Sequence, residues 1–262
     1  MELPAVSEKG SGAPALLIHG LGASSHVFSS LIQANLERFH FLTVELPHTG
    51  DTLGYCPPEP AVLAQRMVHA CRLKGIQSAL VVGHSFGGLV ALEMAALEPS
   101  WVRGLVLASV PAFGLGRWEH FIKLGTANRL MRWAGHLPAS RRAVRLYLQR
   151  IWGRASHPTD ENVAGYLEAA KAKEFLPNLL LAARATLQFK LRTAELRASG
   201  IPIEVLWGAE DTLVAPDQGE RLARALGVTC QQLDGVGHCL PEERPEAVAA
   251  ALNACMLFLA RG

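Results

Sequence analysis

The fold of this chain is decided by the stretch Ala79-Leu80-Val81-Val82-Gly83-His84-Ser85-Phe86-Gly87-Gly88-Leu89-Val90. A short apolar run leads into the pattern Gly-x-Ser-x-Gly, and a helix-like run follows it. A strand, a sharp turn and a helix in this order are the setting in which the pattern marks a serine nucleophile. Glycine leaves room for a tight turn and tolerates unusual backbone angles. The stretch therefore predicts Ser85 as a nucleophile, although a Gly-rich turn also occurs where a strand and a helix merely pack closely.

A serine hydroxyl is a weak nucleophile at neutral pH, so it needs a general base and an acid that orients the base. The candidate base is His238, in the loop between the last predicted strand and the last predicted helix. The candidate acid is Asp211, which follows an apolar strand. Glu210 and Asp234 are rivals for this role, since carboxylates after strands are also common as helix caps. The chain order nucleophile, acid, base favours Asp211.

Four motifs in this chain resemble those of the α/β-hydrolase fold family, of the capped esterase, thioesterase and C–C hydrolase kind. They are Leu16-Leu17-Ile18-His19-Gly20-Leu21-Gly22, the turn around Ser85, Gly208-Ala209-Glu210-Asp211 and Gly235-Val236-Gly237-His238. The resemblance covers nearly the whole sequence. It implies an α/β fold with a mostly parallel sheet, helices on both faces and a helical cap inserted after the sixth core strand.

The resemblance also implies an oxyanion hole. It would be formed by the backbone N–H groups of Phe86, next to the nucleophile, and of Leu21, in the earlier loop. His19 and Gly20 would support this loop, with His19 ordering it through hydrogen bonds. The alternative is that His19 and Gly20 only end a strand.

Strand-like apolar runs alternate with helical patterns, which is typical of a parallel sheet covered on both faces. The predicted strands are Ala15–Ile18, Phe39–Val44, Ala79–Val82, Gly104–Ser109, Ile203–Trp207 and Thr229–Leu233. The alternation stops between Ala112 and Arg197, where Gly and Pro interrupt helical patterns. We therefore predict a core formed by residues 1–111 and 200–262 and a helical cap formed by residues 112–199.

The sequence departs from the family pattern in two places. Few residues precede the strand before His19, so we expect the usual opening pair of strands to be reduced to one strand or less. The stretch Glu45-Leu46-Pro47-His48-Thr49-Gly50-Asp51-Thr52 carries fewer glycines than relatives commonly have there. Neither departure touches the predicted catalytic residues.

Composition excludes several other classes of protein. The chain has 262 residues, half of them hydrophobic, which suffices for a large core in one domain with an insertion. A net charge of +2 gives no overall attraction to nucleic acids or membranes. The N-terminus lacks a signal-peptide pattern and no apolar run reaches the roughly 18 residues of a membrane span. We expect a cytoplasmic protein without a membrane span or a nucleic-acid partner.

Metal and nucleotide chemistry have no motif in this sequence. The five cysteines, an odd number, show no C-x-x-C spacing, which argues against a disulfide framework and a zinc site. No H-E-x-x-H pattern and no phosphate-binding glycine loop is present. We therefore expect neither a metal ion nor a cofactor.

The predicted cap is strongly basic. Residues 112–199 carry fifteen Lys and Arg against six Asp and Glu, a net charge of +9, so the remainder carries −7. Its densest part contains Arg141, Arg142, Arg145, Arg150 and Arg154. These arginines either keep a helix soluble or dock an acidic partner, such as an acyl carrier protein or a coenzyme A phosphate. The second interpretation resembles carrier-protein-dependent carboxylesterases of the same fold, in charge placement alone.

These features predict a serine hydrolase that cleaves a carboxylic ester of modest size through an acyl-enzyme on Ser85. The alternatives are a thioesterase acting on acyl-carrier or acyl-CoA substrates, or C–C hydrolysis, lactone formation or a lyase step with the same residues. A third hypothesis is a non-catalytic receptor for a small ligand or a partner protein. Aromatic residues of the cap are possible pocket walls or cap core: Trp118, Phe121, Trp133, Tyr147, Trp152 and Phe175.

Overall fold

A computed structural model describes residues 3–46, 58–116, 119, 140–171 and 175–261. The sheet at its centre has the strand order β1-β3-β2-β4-β5-β6-β7, in which β1 pairs antiparallel with β3 and the other neighbours pair in parallel. The strands are β1 (Val6–Lys9), β2 (Ala13–Ile18), β3 (Phe39–Val44), β4 (Ala79–His84), β5 (Val102–Ala108), β6 (Ile203–Gly208) and β7 (Cys230–Leu233). This confirms the predicted α/β class with a mostly parallel sheet.

The described helices follow the strands along the chain. They are α1 (Ser29–Ala34), α2 (Pro60–Leu73), α3 (Phe86–Leu97), α4 (Arg141–Ile151), α5 (Asp160–Ala169), α6 (Phe175–Gln188), α7 (Thr193–Ala198), α8 (Asp217–Leu226), α9 (Leu240–Glu243) and α10 (Pro245–Leu259). A 3₁₀ turn at Ser25–Phe28 precedes α1.

The sheet separates two apolar layers. Successive side chains of a strand point to opposite faces, so in β2 Leu16 and Ile18 join one layer while Ala15 and Leu17 join the other. The first layer is completed by residues of α2, α3, α6, α7 and α8, and the second by residues of α1, α4, α5, α9 and α10. Burial on both faces explains why these strands read as continuous apolar runs instead of alternating ones.

Every predicted strand is present, with ends within two residues of the expected ones. A single strand, β1, precedes β2, as the short N-terminal segment suggested. The helices α4 to α7 lie between β5 and β6, so the strand before them is the fifth in chain order, because one strand and not a pair opens the sheet. Of the unusual stretch after β3, Glu45 and Leu46 are described and residues 47–52 lie outside the described part.

The turn between β4 and α3 owes its shape to close backbone contacts. Ser85 has φ +52° and ψ −122°, a strained conformation for a residue with a side chain. A Cβ on Gly87 would overlap the carbonyl oxygens of Ile18 and His19, and one on Gly83 would lie 2.5 Å from the Gly88 Cα. Neither Gly83 nor Gly87 has a positive φ. Of the two reasons expected for these glycines, lack of space applies and freedom of backbone angles does not.

Four of the five cysteines, Cys71, Cys230, Cys239 and Cys255, are described and carry free thiols. Cys56 lies outside the described residues. Within the described ranges, no helix is long and apolar enough to cross a bilayer.

Candidate active site

The predicted site residues meet at the carboxyl edge of the sheet. His19 and Gly20 follow β2, Ser85 follows β4, Asp211 lies just beyond β6, and His238 lies in the loop after β7. In an open parallel sheet the carboxyl ends of the strands point to one edge, where ligand sites of α/β proteins form. The topology thus brings together side chains that lie more than 200 positions apart in the sequence.

His238 lies between Ser85 and Asp211. Its Nε2 is 3.1 Å from the Ser85 Oγ, and its Nδ1 is 2.8 Å from the Asp211 Oδ2. All three residues are buried, with 8 % of Ser85 and 4 % of each of the other two exposed. When Nδ1–H donates to the carboxylate, Nε2 is free to accept the hydroxyl proton. The geometry therefore suits proton transfer from Ser85 to an imidazole whose positive charge a carboxylate offsets.

The Asp211 carboxylate is fixed from both sides. Its Oδ1 accepts hydrogen bonds from the Leu213 and Val214 N–H groups, each at 2.8 Å, while Oδ2 faces His238. The rival Glu210 turns away and binds the backbone N–H and the guanidinium of Arg154, at 2.8 and 2.5 Å. The other rival, Asp234, is exposed. Of the three candidate carboxylates, Asp211 is the one that contacts His238.

The loop after β2 lies directly against the nucleophile turn. A Cβ on Gly20 would come within 2.9 Å of the Ser85 Cβ, so glycine is needed for this approach. The Phe86 N–H belongs to the first turn of α3, where N–H groups have no partner within the helix. Neither this N–H nor that of Leu21 donates to another group in the described part of the chain. Leu21 and Phe86 are therefore on the two segments that border Ser85.

His19 braces this loop. It is fully buried; its Nδ1 lies 2.8 Å from the Gly20 carbonyl oxygen, and its Nε2 accepts the Leu46 N–H at 3.1 Å. Glu45 accepts the Ser25 N–H at 3.1 Å and lies 3.2 Å from the His19 Nε2. Burial would raise the pKa of Glu45, but the neighbouring His19 and the hydrogen bond from the Ser25 N–H lower it to about 2. These contacts agree with the predicted ordering role of His19.

From the sequence, no role was predicted for His84. Its Nε2 lies 2.8 Å from the backbone oxygen of His238, and the two rings are 5.1 Å apart. Burial, reinforced by the neighbouring His238, lowers the pKa of His84 to about 3. The ring is therefore neutral and donates Nε2–H to the base loop. Its position inside the Gly-x-Ser-x-Gly pattern was the one available signal.

A buried polar cluster lies next to the site. Glu242, whose side chain is 3 % exposed, accepts hydrogen bonds from Asn162 at 2.7 Å and from the Tyr166 hydroxyl at 2.9 Å. The His26 Nε2 lies 3.8 Å from the same carboxyl group. Burial raises the pKa of Glu242 to about 8 and lowers that of His26 to about 4. Both shifts favour the neutral forms of these groups, and the cluster joins α5 to α9, just after the loop of His238.

The five cap arginines do not share one surface. Arg141 and Arg145 both bind Asp160, the former at 2.9 Å, and Arg154 lies beyond the end of α4. Arg142 and Arg150 are exposed on α4 and have no carboxylate partner among the described residues. Asp160 therefore neutralises one pair, Arg141 and Arg145, and Arg142 and Arg150 form a second, exposed pair on α4.

The described cap aromatics have different surroundings. Tyr147 is 48 % exposed, yet burial, with Cys239 and Asp211 nearby, raises the pKa of its hydroxyl. The Phe175 ring would lie 3.9 Å from a Cβ on Gly22, in the loop after β2. Trp152 is 8 % exposed and donates to Ser156 inside the cap. Tyr147 and Phe175 thus border the site, and Trp152 belongs to the second apolar layer of the sheet. The other predicted walls, Trp118, Phe121 and Trp133, lie outside the described residues.

The sequence matches a profile described as the alpha/beta hydrolase family over residues 15–251. It is 25 % identical over 243 residues to an uncharacterized hydrolase, YugF, of Bacillus subtilis (strain 168), covering 88 % of this chain and 85 % of the relative. It is 28 % identical over 241 residues to a pimeloyl-[acyl-carrier protein] methyl ester esterase of Methylococcus capsulatus, covering 89 % and 90 %.

Solved structures have the same fold. A thermophilic esterase from Thermogutta terrifontis, crystallised with malate, superposes with a TM-score of 0.78 at 20 % identity. The match covers 98 % of this chain and 93 % of that one. At this identity the likeness concerns the fold alone.

The buried Glu242 predicts a pH-dependent stability. The pKa of the Glu242 carboxyl is 4.5 in the unfolded chain and about 8 in the folded protein. Its contribution to the free energy of unfolding is therefore fully present below pH 4.5 and is lost as the pH rises through 8. Glu242→Gln stays neutral and lacks this loss. The melting temperature of the variant relative to the parent should therefore rise by at least about 3 °C between pH 5 and pH 8.5, measured by calorimetry.

The exposed Glu246, on α10, gives the control for this prediction: Glu246→Gln should keep a constant difference from the parent over the same pH range. A constant difference for Glu242→Gln as well would show that Glu242 is ionised in the folded protein.

Proposed function

The chain belongs to the alpha/beta hydrolase family, and from that premise we propose that it is a serine hydrolase cleaving a carboxylic ester of modest size through an acyl-enzyme on Ser85. The observation that carries the proposal is the hydrogen-bonded series from the Ser85 hydroxyl through His238 to Asp211. A buried serine alone would be a poor nucleophile. A serine whose proton has an oriented acceptor is an active one.

The proposed reaction has two stages. The Ser85 Oγ attacks the ester carbonyl carbon while His238 Nε2 takes its proton, and the same proton then goes to the leaving alcohol. Asp211 holds the ring and stabilises its positive charge. The N–H groups of Leu21 and Phe86 bind the oxyanion, each worth about 3 kcal/mol in the transition state. In the second stage a water molecule, deprotonated by His238, releases the acid and restores the serine.

The proposal includes a cap over Ser85, formed by residues 112–199, and a core formed by residues 1–111 and 200–262. Support comes from both described sides of the cap: Tyr147 of α4 lies near Asp211, and Phe175 of α6 lies over the loop that carries Gly22. Aromatic rings near the site suit an acyl group that is largely hydrocarbon.

Substitution of the three residues tests the reaction. Ser85→Ala and His238→Ala should each lower kcat by about three to four orders of magnitude or more, because such residues act as a unit. Asp211→Asn should be comparable or milder, since the acid exchanges no proton. The measurement is steady-state hydrolysis of p-nitrophenyl esters of varied chain length, beside acyl-CoA and acyl-carrier thioesters.

Glu210→Gln and Asp234→Asn are the matched controls and should retain the parent rate within a few fold. If either control were as damaging as Asp211→Asn, the acid would be wrongly assigned. If Ser85→Ala kept more than a tenth of the parent rate on its best substrate, the acyl-enzyme would be wrong. A preference for thioesters would indicate a thioesterase, and a preference for C–C or lactone substrates would indicate that chemistry. Absence of any turnover, together with ligand binding, would indicate a non-catalytic receptor.

A carrier-bound substrate is favoured by one surface of α4. Arg142, Leu146 and Arg150 are spaced four residues apart, so they lie along one side of the helix. Leu146 is 58 % exposed, and both arginines are exposed. A basic stripe with an apolar residue at its centre suits an acidic helical partner. The similar esterase of Methylococcus capsulatus is named for a substrate bound to an acyl-carrier protein. This supports the same class of substrate here.

The double variant Arg142→Glu, Arg150→Glu tests this stripe. It should raise KM for a carrier-bound ester by about tenfold or more and leave a small neutral ester unaffected, because exposed pairs contribute on the order of 0.2 to 1 kcal/mol each. The effect should weaken as salt rises. The control variant Arg103→Glu, Arg261→Glu makes the same charge change at exposed sites away from α4.

An equal rise of KM in both double variants would indicate a general charge effect. Equal loss on the carrier-bound and the small ester would indicate damage to the cap. No change in either would leave the arginines as solubilising residues.

A further inference from the structure

The segment at the C-terminal end of α4 is hydrogen-bonded through its backbone to the loop of His238 and to the loop of Asp211. The segment consists of residues 151–155, which we call the anchor segment. Its Ile151 carbonyl accepts the His238 N–H at 2.7 Å, and its Ala155 N–H donates to the Gly235 carbonyl at 3.0 Å. Its Arg154 N–H donates to Glu210, next to Asp211, at 2.8 Å.

Glu243 completes this set of contacts. One of its carboxylate oxygens accepts the Gly153 N–H of the anchor segment at 2.8 Å, and the carboxylate also accepts the Gly237 N–H at 3.0 and 3.1 Å. Gly237 directly precedes His238. Glu243 is 5 % exposed, so these bonds are shielded from water. One carboxylate therefore joins the anchor segment to the residue before the base.

Glycines allow the close contact between the anchor segment and the loop of His238, because they have no side chain. A Cβ on Gly153 would overlap the Gly235 carbonyl, and one on Gly237 would overlap the Ile151 carbonyl. A Cβ on Gly208, at the end of β6, would overlap the Gly237 carbonyl. Three backbone segments thus touch one another around His238, and a shift of one must shift the others.

We infer that Glu243 and the anchor segment position His238 against Ser85 and Asp211, with Glu243 as a positioning residue of the reaction. This inference rests on the proposed role of His238 as the base. The His238 ring makes its two bonds, at 3.1 and 2.8 Å, from the backbone position that these contacts hold. The Ile151 carbonyl accepts the His238 N–H, and Glu243 accepts the N–H of the preceding Gly237, so two successive peptides are held. The proposed cap would thereby position His238 through the end of α4, in addition to covering the substrate.

The test compares Glu243→Gln and Glu243→Ala with the parent. Active sites are first counted by titration with a fluorophosphonate, and kcat is expressed per titrated site. Glu243→Ala should lower kcat per site by about tenfold to a hundredfold, because a misplacement on the order of 1 Å costs up to about a hundredfold. KM should change by less than about threefold. Glu243→Gln, which keeps one oxygen to accept an N–H, should recover part of the lost kcat.

Two further variants guard the interpretation. Gly153→Ala displaces the anchor segment with Glu243 intact, so it should lower kcat per site as well, and it decides the matter if Glu243→Ala does not fold. Glu93→Gln removes another buried carboxylate, which pairs with Arg192 at 3.1 Å on the far part of α3. It should lower the melting temperature while kcat per site stays at the parent value.

Parent values of kcat per site in Glu243→Ala and Gly153→Ala, with lower melting temperatures alone, would reduce the anchor segment to a structural role and overturn the inference. Failure of the parent itself to be titrated or to turn over substrate would instead contradict the proposed function, so the two failures are distinguishable.

Discussion

The site depends on one close approach, between the first turn of α3 and the backbone at the end of β2. Gly87 lies against the carbonyl oxygens of Ile18 and His19 with no space for a Cβ. This contact fixes the distance from Ser85 to the loop of Leu21, and it holds Ser85 at φ +52°. Such a conformation costs on the order of 1 to 3 kcal/mol and persists only when its surroundings determine it. Here the surroundings are the central strands of a buried parallel sheet.

Around this contact, neutral buried groups lie against the loop that carries His238. Burial keeps the His84 ring uncharged although it lies 5.1 Å from the His238 ring, so it donates a hydrogen bond to the loop without repelling a positive charge on the base. Glu242 and His26 are also neutral near pH 7. The charge that forms on His238 in the proposed reaction would therefore have Asp211 as its immediate partner, in surroundings of low polarity where that interaction is strong.

The strands, and the side chains that meet at the carboxyl edge of the sheet, could be predicted from the sequence, because these depend on local pattern. Chain order could not separate Asp211 from Glu210, since both lie between Ser85 and His238, and the contact with His238 is what distinguishes Asp211. The contacts that hold the site could not be predicted in this way: Gly153 and Glu243 lie 90 positions apart, and His84 meets the backbone of His238 from 154 positions away. A charge count likewise could not tell that Asp160 neutralises Arg141 and Arg145. The sequence suggested that the flanking glycines adopt the unusual backbone angles, whereas the positive φ of this turn lies at Ser85 itself.

The central claim is that Ser85 is an activated nucleophile, and covalent labelling tests it most directly. The folded protein is incubated with a fluorophosphonate, its mass is measured, and the modified peptide is sequenced. The account predicts one phosphonyl group per chain, on Ser85, with labelling absent in Ser85→Ala and slowed by orders of magnitude in His238→Ala. A folded parent protein that stays unlabelled, or carries the label on another residue, would contradict it.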